Sequence, residues 1–130
     1  MLTTTRSNSA DYLSLFLNDT PLMDVRAPVE ANKGSFPCSI NHPLLDNEQR
    51  HEIGIRYKEQ GEQAAIQLGL DLATPEIRAQ RYKQWISFCK QNPEGYLFCF
   101  RGGLRSRTTQ QWLKEQGYHY PLVTGGYKAM

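Results

Sequence analysis

Long apolar runs are missing from this chain: nothing approaches the roughly 18 consecutive apolar residues that a membrane-spanning helix needs. The opening stretch "MLTTTRSNSADYLSLFLNDT" has only a few apolar residues together, broken by serine and followed by no small-residue cleavage pattern, so it does not read as a secretory signal. Cysteine is scarce, at positions 38, 89 and 99, in no metal-ligand spacing and in an odd number. That pattern points to free thiols in a reducing compartment rather than to a disulfide scaffold. His42, His51 and His119 form no i, i+4 pair, which argues against a metal site. A dominant charge is lacking too: a formal net charge of +2 is too mild to announce a nucleic-acid binder by itself. There are no repeats and no low-complexity tracts. What remains suits one cytoplasmic globular domain, since 130 residues with 39% hydrophobic content can bury a modest core.

The elements alternate. Ser9 can cap a short helix with Tyr12, Leu13, Phe16 and Leu17 on one face, ended by "NDTP". "LMDV", residues 22–25, reads as a buried strand. The Pro-, Gly- and Asn-rich run that follows predicts mostly loop, with a short strand near Ser39 to Asn41. Gly54 and Gly61 should divide the polar stretch from Asp46 to Gly69 into two short helices. Thr74 and Pro75 then open a helix whose buried face carries Tyr82, Trp85, Ile86 and Cys89. "GYLFCF" is a buried strand, Leu104 to Gln116 an amphipathic helix ended by Gly117, and "YPLVTGG" a last short strand. Such an order predicts an α/β fold, a mostly parallel central sheet flanked by helices.

The chemistry gathers in "YLFCFRGGLRSRTTQQWL". A strand ending at Cys99 puts sulfur at the carboxyl edge of the sheet, where open α/β folds bind ligands. Gly102 and Gly103 permit backbone angles denied to other residues, so that successive N–H groups can form an anion nest at a helix N-terminus. Arg101, Arg105 and Arg107 add charge wherever they fold back over the loop. This context favours thiolate over thiol at Cys99, and the thiolate is the nucleophile. Cys89 reads as core and Cys38 as an incidental loop residue. Trp112 and Leu113 should pack the helix on the sheet, and "RYKQW", residues 81–85, mixes cations and aromatics as a helix with one wet and one buried face does.

"CFRGGLRS" with "PLMDVRAPVE" resembles the rhodanese-like superfamily, in which a strand ending in Asp-x-Arg precedes a Cys-headed loop and a "GG" segment follows. "NHPLLDNEQRHEIGIRYKEQGEQAAIQLG" and "GGYKAM" are similar to the N-terminal domain of the bacterial tRNA 2-selenouridine synthase family. The resemblance implies a selenotransferase or sulfurtransferase-type domain that replaces the sulfur of wobble 2-thiouridine in tRNA by selenium from selenophosphate. It aligns Cys99 with the family's essential cysteine. Phe100, Arg101, Gly102, Gly103, Leu104, Arg105 and Ser106 become the anion-binding loop, with Asp24, Arg26 and Glu30 as support. It also implies geranyl diphosphate as a second substrate of the full-length family, no bound cofactor, and a C-terminal P-loop domain. No G-x-x-x-x-G-K-[ST] occurs in this chain, so tRNA contacts are expected mainly in that missing domain or a partner protein, and an isolated domain would perform a half-reaction.

The Cys99-x5-Arg105 spacing equals that of cysteine-dependent phosphatases, giving a bowl wide enough for a tetrahedral phosphate. A thiolate that attacks selenium there would leave a Cys99 perselenide-type intermediate. Two alternatives stand beside this reading: phosphate-ester hydrolysis through a phosphocysteine, which needs a general acid with no plain candidate here, and an inactive rhodanese-like module that binds partners.

Overall fold

The computed structural model describes residues 6–101 and 103–130. Three short strands, β1 (Leu22–Asp24), β2 (Ser39–Asn41) and β3 (Tyr96–Phe98), form a wholly parallel sheet in the order β2-β1-β3. Met23 pairs with Ile40 on one side and Leu97 on the other. Parallel neighbours require crossovers. The β1 to β2 crossover carries α2 (Pro28–Lys33), and that from β2 to β3 carries α3 (Asn47–Gln60), α4 (Glu62–Leu72) and α5 (Pro75–Gln91). Before β1 comes α1 (Tyr12–Leu17), and after β3 come α6 (Leu104–Glu115) and α7 (Gly126–Ala129).

Strand side chains alternate between faces, and the two buried clusters follow that alternation. Met23, Val25, Leu97 and Cys99 join Trp85, Phe88 and Cys89 of α5 and Trp112 and Leu113 of α6. Leu22 and Phe98 point the other way, to Leu15 of α1 and Val123. Full burial of a side chain such as Phe88 or Leu113 stabilises by about 1.5–3 kcal/mol, so α5 and α6 are fixed mainly by this first cluster.

Several local expectations change. Asp11, not Ser9, caps α1, its carboxylate accepting from Ser14 N at 3.2 Å, while Ser9 bridges to Val123. Leu15 is the buried residue of α1; Leu13 and Leu17 are exposed because the sheet meets the opposite side. Pro28 at the first helical position and Glu30, whose carboxylate reaches back to Ala27 N at 3.1 Å, make a helix of a stretch that reads as loop. Gly54 does not interrupt α3, which runs on to Gly61, where φ is +89°. "YPLVTGG" yields only a bridge between Leu122 and Leu97 rather than a strand. Thr74 caps α5 as expected, accepting from Ile77 N at 3.3 Å.

Candidate functional site

Because all three strands are parallel, their carboxyl ends share one edge, and the segments leaving them meet there. β3 delivers Cys99, β1 delivers Arg26 and then Glu30 on α2, and α6 begins just past the loop with Leu104 and Arg105.

Cys99 is 2% exposed and lies on the α5/α6 side of the sheet. Its loop is pinned through the backbone: Tyr127 N donates to Cys99 O and Lys128 N to Phe100 O, both at 2.8 Å. The start of α7 is therefore a clamp on the Cys-headed loop. Gly125 makes the clamp possible, because at φ +84° a Cβ would be strained and would lie 2.7 Å from that of Ala129. Phe100 stacks on Tyr127 with centroids 6.4 Å apart.

Arg105 reaches across to Glu30. Its Nη2 donates to Oε2 at 3.1 Å and its Nη1 to Oε1, while Arg50 Nε holds Oε1 at 3.0 Å. Burial opposes charge on both partners. The Arg105 hydrogen bond and charge nevertheless win at Glu30, with help from Ala27 N and Arg50, and hold its carboxyl below the usual value. At Arg105, burial is outweighed by Glu30 and then by Cys99 and Asp24, so the guanidinium is held charged more firmly than usual. A permanent cation thus stands at the mouth of the Cys99 loop, oriented by a carboxylate.

Asp24 and Arg26 form a buried pair, 1% and 2% exposed, with Arg26 Nη2 at 2.7 Å from Asp24 Oδ2. Arg26 also donates to Gly34 O at 2.7 Å and lies 4.1 Å from the Tyr127 ring centroid. It braces the end of β1 against α2 and α7.

The expected loop residues divide. Arg101 is exposed, 5.4 Å from the Phe100 ring, and Leu104 is 47% exposed. Gly103 has φ −91°, and a Cβ there would meet nothing within 4 Å. Gly102 lies outside the described residues. Arg107 does not fold back over the loop; it lines a groove on the far side of α6. Ser106 is fully buried, and among the described residues its hydroxyl has no hydrogen-bond partner, as is true of Thr109. Ser106 directly follows Arg105 in the first turn of α6 and opens that helix's buried stripe of Ser106, Thr109 and Leu113.

Sequence reasoning did not find an apolar cleft of about 140 Å³ beside the loop, lined among others by Leu44, Ile53, Ile66, Leu70, Leu104 and Trp112, with Arg105 at its edge. The apolar residues of "IQLGL" were its only signal. Cys89 is the inert thiol expected, its pKa pushed up to about 12 by burial. Arg81 Nε donates to Leu44 O and Trp85 Nε1 to His42 O, each at 2.9 Å, so "RYKQW" is used within the fold.

Over 125 residues, 96% of the chain, it is 62% identical to tRNA 2-selenouridine synthase of Marinobacter nauticus. It is 60% identical to that of Alcanivorax borkumensis and 58% to that of Photobacterium profundum over equal shares. The chain belongs to the tRNA 2-selenouridine synthase family. It covers 34% of each of these synthases, about a third of their length. No family profile matches. Among solved structures, the N-terminal domain of a protein assigned as ATP/GTP-binding from Clostridium difficile 630 superposes with a TM-score of 0.80 at 29% identity, covering 97% of this chain and 95% of that one. Among the described residues, no helix is long and apolar enough to cross a membrane.

Proposed function

We propose that this rhodanese-like domain carries out the selenophosphate half of a tRNA 2-selenouridine synthase reaction, with Cys99 as nucleophile, and that the base receiving selenium is wobble 2-thiouridine. The observation that carries this reading is the 62% identity to such a synthase across nearly the whole chain. Charge placement supports it: the Arg105 guanidinium, steered by Glu30, and the Ser106 hydroxyl can serve a tetrahedral oxyanion above Cys99.

Electron balance decides which bond Cys99 breaks. Attack on selenium would leave phosphorus with the electron pair, as phosphonate, and selenium oxidised as a perselenide, although exchange of sulfur for selenium in the base is redox-neutral. Attack on phosphorus balances without further reagents. An S–P bond forms, the P–Se bond breaks, and selenium departs with its pair as hydrogen selenide. Water then cleaves the S–P bond, releasing phosphate and restoring the thiolate. Hydrogen selenide adds at C2 of the thiouridine, and sulfur leaves as hydrosulfide. The perselenide expectation is replaced on this ground. The geranyl diphosphate of the full-length family would place its prenyl chain in the apolar cleft and its diphosphate at Arg105. Contacts from the P-loop part of the longer relatives would complete both halves.

The test is anaerobic incubation with selenophosphate, with trapping of selenide by an alkylating agent and measurement of phosphate. Selenide and phosphate should appear in equal amounts with the native chain and not with Cys99→Ser, whose hydroxyl is a far poorer nucleophile at neutral pH. Efficient Cys99-dependent hydrolysis of an aryl phosphate with no consumption of selenophosphate would instead establish the phosphatase. No turnover of either, with retained anion binding, would favour the partner-binding module.

A further inference from the structure

The outer side of α6 borders an open groove that the chemistry above leaves unused. Arg6, Arg107, Lys114 and His119 line it together with Gln110 and Gln111, and no carboxylate does. The chain as a whole carries 15 Lys and Arg against 13 Asp and Glu, so three permanent cations without an anion are a local segregation of charge. Glu115, the carboxylate on α6, divides between Arg78 at 3.5 Å and Gln111 Nε2 at 3.4 Å and does not itself line the groove. Asp11, Asp19 and Glu94 line a separate concavity that Arg6 also borders. Among the described residues, ion pairs engage Arg26, Arg50, Arg78 and Arg105, leaving Arg107 and Lys114 uncompensated.

The groove is also preorganised. Asn8 Oδ1 accepts from Gln110 Nε2 at 2.9 Å and from Leu122 N at 3.0 Å, and Gln110 Nε2 reaches Tyr120 O at 3.0 Å. Arg6 is fixed by Gly95 O at 2.7 Å and by the rings of Tyr96 and Tyr120, 5.0 and 5.4 Å away. Position along α6 matters as much as charge. At about 1.5 Å per residue, Arg107 stands roughly 5 Å and Lys114 roughly 15 Å along the helix from Leu104, where the Cys99 loop ends.

We infer that this groove is the docking surface for the phosphate backbone of the acceptor RNA, which lies along α6 so that its reacting base reaches the loop. The inference rests on the tRNA reading above and transfers part of RNA recognition to this domain. Phosphates would take the charges of Arg6, Arg107 and Lys114, which position the strand without reading its sequence.

The experiment measures binding of a synthetic anticodon stem-loop RNA to the full chain by fluorescence anisotropy across a salt series, with circular dichroism to verify folding. The doubly substituted Arg107→Glu/Lys114→Glu chain should bind about tenfold or more weakly, and its salt slope should fall by about 2, one for each lost phosphate contact. Lys83→Glu/Lys90→Glu, on the exposed side of α5, makes the same change in net charge and should leave affinity within about twofold if the effect is local. Equal losses in the two double variants, no binding by the native chain, or tighter binding of poly-glutamate than of the RNA would overturn the groove assignment. Selenide release from selenophosphate needs no RNA. A chain that releases selenide but binds no RNA refutes only the groove, and one that binds RNA through it but releases no selenide refutes only the chemistry.

Discussion

Glu30 and Arg105 lie 75 residues apart in sequence, yet the carboxylate of one and the guanidinium of the other meet through both oxygens at the mouth of the Cys99 loop. The contact ties the first crossover to the start of α6. Because Glu30 also caps α2 and holds Arg50, one carboxylate fixes three elements.

Glu30→Gln should therefore destabilise the fold, and the loss should depend on pH. A carboxyl held below its usual 4.5 contributes fully above that value. The contribution disappears as pH falls through the lower value it has when folded. Thermal unfolding of native and Glu30→Gln chains should differ at pH 7 and converge toward acid. A constant gap at every pH would show that the charge is not what holds the elements.

The order of elements was legible because its signals are local: Thr74-Pro75 marks the start of α5, and alternation of Leu97, Phe98 and Cys99 marks a buried strand. What stayed hidden depends on contacts between distant segments. Leu13 and Leu17 look like a buried face until the sheet is seen to approach from the Leu15 side. Pro28 was a legible helix start, but the surrounding glycine and prolines outweighed it. At the site, Cys99 and Arg105 stand out from spacing alone. Glu30 could be named only by resemblance, and the outward turn of Arg107 follows from helix phase, since it comes directly after buried Ser106.

Arg26 and Arg105, which look equivalent in the sequence, should fail in different ways. Removing the Arg26 side chain leaves Asp24 buried without its countercharge, holding among the described residues only the backbone N–H of residue 26, a loss of about 3–5 kcal/mol, so Arg26→Ala should unfold early in urea. Arg105→Ala should lose the Glu30 contact as well, but what distinguishes it is weaker sulfate or phosphate binding, by about 1.5–3 kcal/mol for a charge-assisted bond. Calorimetric titration beside urea melts checks both. Comparable anion loss in an Arg26→Ala chain that remains folded would place Arg26 at the anion as well.

Thiol labelling gives a third test. Cys89, with its pKa pushed up to about 12, should resist iodoacetamide throughout the neutral range while the chain is folded. Cys38 and Cys99 should both react, but only Cys99 should be slowed by added phosphate, because only its loop holds the anion. Peptide mass spectrometry reads all three. Equal protection of Cys38 would mean that phosphate acts on the whole chain rather than at the loop.

Ser106 and Thr109 allow the sharpest separation of function from stability. Both hydroxyls are buried on α6 and have no partner among the described residues, and an unsatisfied buried polar group costs about 1–3 kcal/mol. Replacing either by an apolar group should therefore not destabilise. Thr109→Val, close in shape, should gain roughly 1 kcal/mol if the hydroxyl is idle, with unchanged release of selenide. Ser106→Ala should be equally harmless to folding yet lower Cys99-dependent turnover, because a hydroxyl next to Arg105 in the first turn of α6 would be lost to the oxyanion. Urea melts and the selenide assay on the same two variants decide the matter. If Ser106→Ala keeps full turnover, its hydroxyl is as idle as that of Thr109, and the oxyanion depends on Arg105 and the loop backbone alone.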